Sequence, residues 1–89
     1  MGSSLAHVAI LALDDTDALL DLGFAYSTGT RGYPFDLVSA HKWFNLAAMS
    51  GSQQAQYCRS DIAGQMTGRE IAEAQRAART WLAGQHGAH

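Results

Sequence analysis

Residues 17–29, DALLDLGFAYSTG, and residues 36–51, DLVSAHKWFNLAAMSG, carry the pattern that decides the fold of this chain. In each segment apolar residues recur at helical spacing, and each segment ends at a glycine, a residue that often stops a helix. The connection between them contains Gly32 and the only proline, Pro34, and so predicts a firm break. The two segments therefore predict two helices joined by a short loop.

The first of these helices is predicted to pack closely against a neighbour. Its buried face should comprise Ala18, Leu19, Leu22, Gly23 and Tyr26. A glycine inside a helix costs about 1 kcal/mol relative to alanine, so Gly23 indicates a position where no side chain fits. The N-cap is expected at Asp14, Asp15 or Asp17, since a carboxylate there accepts hydrogen bonds from free amides. Gly29 should end the helix.

The second helix should begin after an N-cap at Asp36 and end at Gly51. Its predicted inner stripe is Leu37, Ala40, Phe44 and Ala47, with Trp43 and Ala48 beside it. We place His41 at the surface or at the boundary of the packed face.

Two further helices are predicted after residue 51. The third runs from near Ser52 to Gln65 and carries Ala55, Ile62, Ala63 and Met66. The fourth opens with Thr67 and Glu70, the spacing of a capping box, and ends at Gly84. Its apolar stripe is Ile71, Ala74, Ala78, Trp81 and Leu82.

The second pair of helices repeats the first. Shifted by 37 positions, Ala18 falls on Ala55; shifted by 34, Ala40 falls on Ala74. One helix pair of this size cannot bury its apolar faces alone and must stack on another. The sequence predicts an all-α fold, an α/α superhelix of antiparallel helix hairpins with four or five helices. We divide it into an N-terminal segment or capping helix (1–13), a repeat domain (14–84, with repeats at 17–51 and 52–84) and a loose tail (85–89).

The first repeat has a recognisable signature. The pattern Ala18…Leu22-Gly23…Tyr26…Gly29…Gly32…Asp36…Ala40…Trp43…Ala47-Ala48…Gly51 resembles the Sel1-like repeat, a relative of the tetratricopeptide repeat. Residues 41–48, HKWFNLAA, are similar to the second helix of bacterial Sel1-like units. The second repeat matches loosely, with Ser60 in place of the family's glycine and Ala77 in place of its tryptophan. The resemblance implies a superhelical scaffold or adaptor without catalytic residues.

Composition narrows the function classes. The formal net charge of −2 argues against nucleic acid as a partner, because phosphate binding needs a concentrated basic face. Cys58 is the only cysteine, so an internal disulfide is impossible and a reducing compartment is the simpler inference. The apolar run 5–13 is too short to span a bilayer and lacks the basic flank of a signal peptide. We therefore expect a cytoplasmic protein without membrane insertion.

Catalytic and metal chemistry find little support in the sequence. The histidines and Cys58 lack the close spacing of metal ligands, so no metal and no cofactor are predicted. A nucleophilic pair of Cys58 with His41 would need a third orienting group, and Cys58 is better explained as a small half-buried residue. Hydrolases among disulfide-rich relatives of this family carry paired cysteines in each repeat, whereas this chain has one. We predict that it is not an enzyme.

Partner binding has a better candidate. In helical repeats of this kind the first helix of each hairpin lines the concave surface. The strip of the first helix opposite its buried face, and the corresponding strip of the third helix, are predicted to form a groove of Asp17, Asp21, Phe24, Thr28, Gln54, Cys58, Asp61 and Gln65. With Phe24 as an aromatic anchor and Asp21 and Asp61 as carboxylates, the groove would suit an extended peptide that carries a basic residue. Alternatively, Phe24 packs under the N-terminal segment.

A second hypothesis is that the chain assembles with itself. Solenoids normally need three or more units or capping elements, and two repeats leave an apolar face uncovered. Leu5, Val8, Ile10 and Leu11 are candidates to cover one end. Otherwise a homodimer would cover it, and the chain would be a structural module without a separate ligand.

Overall fold

The computed structural model describes residues 15–87, which form four α-helices and no strand. They are α1 (Thr16–Thr28), α2 (Leu37–Met49), α3 (Gln53–Ala63) and α4 (Gly68–Gly87). The all-α prediction is confirmed for this part of the chain. The predicted capping segment 1–13, with Leu5, Val8, Ile10 and Leu11, lies outside the described residues.

Local capping chemistry fixes where the helices begin. The carboxylate of Asp15 accepts from the Ala18 amide at 3.2 Å, and that of Asp36 accepts from the Ser39 amide at 3.2 Å. Before α4 the capping box is complete: the Thr67 amide donates to Glu70 Oε1 at 2.8 Å, and the Glu70 amide donates to Thr67 Oγ1 at 3.1 Å. These bonds satisfy amides that have no partner within a helix, so the predicted starts of α2 and α4 are confirmed.

Hydrogen bonds at both ends tie α1 to α2. Gly29 adopts the left-handed conformation with φ of 67°, so the chain leaves α1 in a sharp turn. The Asp36 amide, just before α2, then donates to the carbonyl oxygen of Tyr26 at the end of α1 (3.0 Å). At the other end, Thr16 Oγ1 donates to the carbonyl oxygen of Ser50 (3.3 Å). The start of each helix therefore meets the end of the other, and the pair is antiparallel.

Helix α2 is the centre of the fold. It packs against α1, α3 and α4, whereas those three helices make few contacts with one another within the described residues. The core that surrounds α2 is small, and Phe44, 1% exposed, is its largest side chain. Its buried apolar members are Leu19, Ala40, Phe44, Leu46, Ala47, Ala55, Ile62 and Ala78. Alanines predominate because each partner helix must approach α2 closely.

The closest approach is between Gly23 of α1 and Phe44 of α2. A Cβ atom built on Gly23 would lie 2.5 Å from Phe44 Cε1 and 2.9 Å from Cγ, inside van der Waals contact. The ring therefore fills the space that any other residue would use. This geometry supports the sequence-based explanation for a glycine in mid-helix.

His41 corrects a prediction. It is 3% exposed, whereas we placed it at the surface or boundary, and its Nδ1 has no hydrogen-bond partner. A helix with three neighbours buries a wider arc than one with a single neighbour, so the buried face of α2 extends to His41 and Leu46. Close by, Arg59 Nη1 of α3 donates to Asn45 Oδ1 at 2.6 Å.

Two predicted helix ends also differ from the structure. Helix α3 stops at Ala63 rather than Gln65, and α4 continues through Gly84 to Gly87. Residues 85–87 of the predicted loose tail are thus helical. Gly84 has a negative φ and open space around it, so nothing at this position forces the chain out of the helix.

Replacing Gly23 by alanine is expected to destabilise the fold. The added methyl group displaces the Phe44 ring, and overpacking of this kind costs about 1–3 kcal/mol. The gain in helix propensity offsets at most about 1 kcal/mol. Urea denaturation should therefore show a lower midpoint. Gly84→Ala is the matched control and should raise stability by up to about 1 kcal/mol, because nothing lies within 4 Å of the added atom. Equal stabilisation by both variants would contradict the packing described for Gly23.

Burial of His41 predicts a pH dependence of stability. Desolvation, with a smaller contribution from the Arg59 charge, lowers the pKa of His41 below 6.5 in the folded chain. The unfolded chain therefore binds more protons between that lowered pKa and 6.5, so stability falls as pH drops through this window. We expect the Tm of the wild type to decrease more steeply between about pH 7 and pH 5 than the Tm of His41→Gln. Parallel curves of Tm against pH for the two proteins would contradict this role of His41.

Candidate functional site

A small pocket opens between α1 and α3, with α2 beneath it. Its volume is about 160 Å³. The lining residues are Phe24, Ser27, Phe44, Cys58, Asp61 and Ile62. Phe44 belongs to the central helix, so the core aromatic ring also reaches this pocket. The pocket exists because α1 and α3 each pack on α2 but make few contacts with one another.

Three of the eight predicted groove residues meet in this pocket: Phe24, Cys58 and Asp61. They come from both helices that the repeat register paired, α1 and α3. Cys58 is partly buried and Asp61 is exposed. Residues from the centre of the two predicted strips therefore lie together in this pocket.

Phe24 is oriented differently from the prediction. It is partly buried and packs edge-to-face on Phe44, with ring centroids 5.3 Å apart. The sequence pattern predicts it on the strip opposite the buried face of α1, whereas its ring contacts Phe44 of α2. Its ring is therefore a wall of the pocket, held by the core, instead of a free aromatic anchor.

The other five predicted residues do not line the pocket. All are exposed: Asp17, Asp21, Thr28, Gln54 and Gln65. By helical spacing Asp21 lies one turn before Phe24, and Thr28 lies one turn after it. Thr28 Oγ1 donates to the carbonyl oxygen of Phe24 at 2.7 Å, so this hydroxyl is used within its own helix.

Sequence reasoning missed Ser27 and treated Phe44 and Ile62 as core residues only. Ser27 follows Phe24 by three positions, the spacing that places two residues on one side of a helix. That spacing is the signal that would have found it. Its hydroxyl also donates to the carbonyl oxygen of Phe24, at 3.2 Å.

The surroundings of Cys58 favour the neutral thiol over the reactive thiolate. Desolvation by burial, with a smaller contribution from the Asp61 carboxylate, raises the pKa of Cys58. A nucleophilic cysteine needs a lowered pKa, provided by cations or a helix N-terminus. The environment of Cys58 acts in the opposite direction and favours the protonated form. Among residues 15–87, no group of three or more His, Cys, Asp or Glu side chains is placed to hold a metal ion.

A second pocket, between α2 and α4, was not predicted from the sequence. Its volume is about 440 Å³. The lining residues are Lys42, Glu73, Arg76, Ala77, Thr80 and Trp81. The ring of Trp81 packs edge-to-face on Trp43, with centroids 5.4 Å apart, and Lys42 Nζ lies 4.5 Å from the Trp43 ring centroid. Burial lowers the pKa of Lys42. Trp81 thus forms part of the lining of a pocket that also has two basic residues and one carboxylate.

None of the described helices has the length and apolar character needed to cross a membrane. Comparisons with protein-family models, with curated proteins and with solved structures found no match to this chain.

Proposed function

We propose that the chain is a non-catalytic protein–protein interaction module, an adaptor or scaffold that binds an extended peptide between α1 and α3. The observation that carries this proposal is the pocket formed by Phe24, Cys58 and Asp61, three residues that the repeat register had paired as a groove. The peptide would insert one apolar side chain into the pocket and place a basic residue beside the Asp61 carboxylate.

The size of the pocket favours a peptide side chain over a small molecule. Sites for metabolites and cofactors usually enclose about 300–1,000 Å³, whereas this pocket has about 160 Å³. Phe24 and Phe44 supply an apolar wall that the core holds in a fixed orientation. A preformed wall of this kind lowers the entropy cost of binding, since little must be ordered when the partner arrives.

The charges around the pocket favour a basic partner residue. Asp61 is exposed at the pocket, and Asp17 and Asp21 are exposed on the preceding turns of α1. Arg59, the one cation of α3, donates to Asn45 of α2. The exposed charge beside the pocket is thus mainly negative and attracts an Arg or Lys side chain at short range.

The proposal includes a Sel1-like architecture. The antiparallel α1–α2 hairpin is compatible with one unit of an α/α superhelix, whereas α3 and α4 make few contacts with each other, so the second hairpin rests on the sequence repeat alone. In such a superhelix α1 and α3 are the first helices of their hairpins and line the binding surface. The raised pKa of Cys58 favours the neutral thiol and supports a non-catalytic role.

Self-assembly is the second candidate. Phe35, Met49 and Tyr57 are all more than half exposed, and large apolar side chains of this kind are candidates for contact with a second copy. Under this hypothesis the chain is a structural module, and the α1–α3 groove is covered by a homodimer.

The peptide-groove proposal predicts the outcome of a selection from a random peptide library. Selected peptides should be enriched in an apolar residue next to Arg or Lys, and the tightest should bind one-to-one in calorimetry. Ser27→Leu fills the pocket without removing a core contact and should weaken binding at least about tenfold. Asp61→Asn should weaken it by about two- to fivefold, as expected for an exposed ion pair.

Arg79→Gln is the matched control, because it changes the charge by one unit at an exposed position on α4 that lines neither pocket. It should leave affinity unchanged. Equal affinity of the wild type, Ser27→Leu and Asp61→Asn would reject the groove as the binding site. Light scattering over a range of concentrations separates the two functions: a dimer that persists on dilution and binds no selected peptide would favour self-assembly.

A further inference from the structure

The pocket between α2 and α4 has a chemistry different from that of the α1–α3 groove. It is lined by two basic residues, Lys42 and Arg76, and by the apolar residues Trp81 and Ala77. We propose that this pocket is a second binding site, which takes a peptide carboxylate next to an apolar side chain. The proposal uses none of the groove residues and does not depend on the groove function.

The repeat register explains why two cations meet here. The shift of 34 positions that aligns α2 with α4 places Lys42 on Arg76. The two helices pack against each other, so equivalent positions of the two repeats lie at one pocket. The aligned basic positions, Lys42 and Arg76, thus both line one pocket.

The same register explains why the pocket is open. The next position pairs Trp43 with Ala77, so the second repeat has a methyl group where the first has an indole. Trp43 itself is occupied by its contact with Trp81. The missing side chain leaves about 440 Å³, within the range of about 300–1,000 Å³ typical of ligand sites.

Lys42 is half-buried and held at the pocket by its position over the Trp43 ring. Burial lowers the pKa of Lys42. A carboxylate that enters the pocket would add a negative charge beside Lys42. Hydrogen bonds between charged groups are about twice as strong as neutral ones. The carboxylate of the ligand would therefore make its strongest polar contacts in this pocket.

The net charge of the lining residues points to a monoanion. Lys42 and Arg76 carry two positive charges, and Glu73 on the same pocket carries one negative charge. A carboxylate carries a single negative charge, which balances the net charge of +1 on the lining residues, whereas a phosphate group carries about −1.5 to −2 at neutral pH and exceeds it. The apolar part of the ligand is matched by the indole of Trp81, which can also contact an aliphatic side chain.

The test is a titration of the full chain with short defined peptides, followed by tryptophan fluorescence, since Trp43 and Trp81 are the only two tryptophans. The probe is the acetylated and amidated pentapeptide Leu-Glu-Leu-Glu-Leu. Its glutamine counterpart, amidated, is the uncharged control. The glutamine peptide with a free C-terminus distinguishes a terminal carboxylate from a side-chain carboxylate. We expect a saturable signal from at least one carboxylate peptide, and at least about tenfold weaker binding of the uncharged one.

Four variants locate the binding site. Lys42→Gln and Arg76→Gln should each weaken binding of the carboxylate peptide at least about fivefold. Ala77→Trp should abolish its binding by filling the pocket. Glu73→Gln should tighten binding by about two- to fivefold. Arg79→Gln is the matched control, since Arg79 is exposed on α4 outside the pocket, and it should bind as the wild type does. Circular dichroism confirms that each variant is folded.

Several results would overturn the proposal. The first is the absence of saturable binding up to about 1 mM of either carboxylate peptide. The second is an equal effect of Arg76→Gln and Arg79→Gln, which would indicate nonspecific charge attraction. The third is a solution mass above one chain that falls in Lys42→Gln and Arg76→Gln, which would assign the pocket to a second copy. A failed groove selection leaves these readouts unaffected, so the two proposals can fail separately.

Discussion

The contact between Gly23 and the ring of Phe44 is the constraint on which the rest of the structure depends. It brings α1 onto α2 without an intervening side chain, and it allows the largest side chain of the core to be completely buried. The same ring extends beneath α1 towards α3 and contacts Phe24. One aromatic residue thus sets the closeness of the first hairpin and forms a wall of the candidate binding pocket.

The two pockets follow from the position of α2. Three helices pack on it, and α1 and α3 make few contacts with one another, so a gap remains between them; a second gap lies where α4 packs on α2. The gap between α1 and α3 is small, apolar and bordered by a carboxylate. The gap between α2 and α4 is larger and is lined by two basic residues. Both candidate binding sites are therefore formed by helix packing, without a dedicated binding loop.

Helix starts and the close helix contact could be predicted from the sequence, because their causes are local. Asp36, Thr67 and Glu70 cap the helices through bonds to amides three residues away. Gly23 was informative because a glycine that lowers helix stability needs a packing reason. Such features depend on a few neighbouring residues and on the helical period.

The burial of His41, the orientation of Phe24 and the α2–α4 pocket could not be predicted in the same way. Each depends on how many helices surround α2, which a pattern of 3.6 residues per turn does not contain. His41 is buried on a helix that has three neighbours. The cation pair of the second pocket was present in the repeat register, as the alignment of Lys42 with Arg76, but its significance depends on the packing of α4 on α2.

Native-state hydrogen exchange across the whole chain tests the central position of α2 most directly. If α2 holds the other three helices together, its buried amides exchange only when the whole domain unfolds. The opening free energies around Ala40, Phe44 and Ala47 should then equal the free energy of unfolding measured with urea. The amides of α3 and α4 should open at lower free energies. Exchange of the α2 amides as fast as those of α3 or α4 would contradict the account.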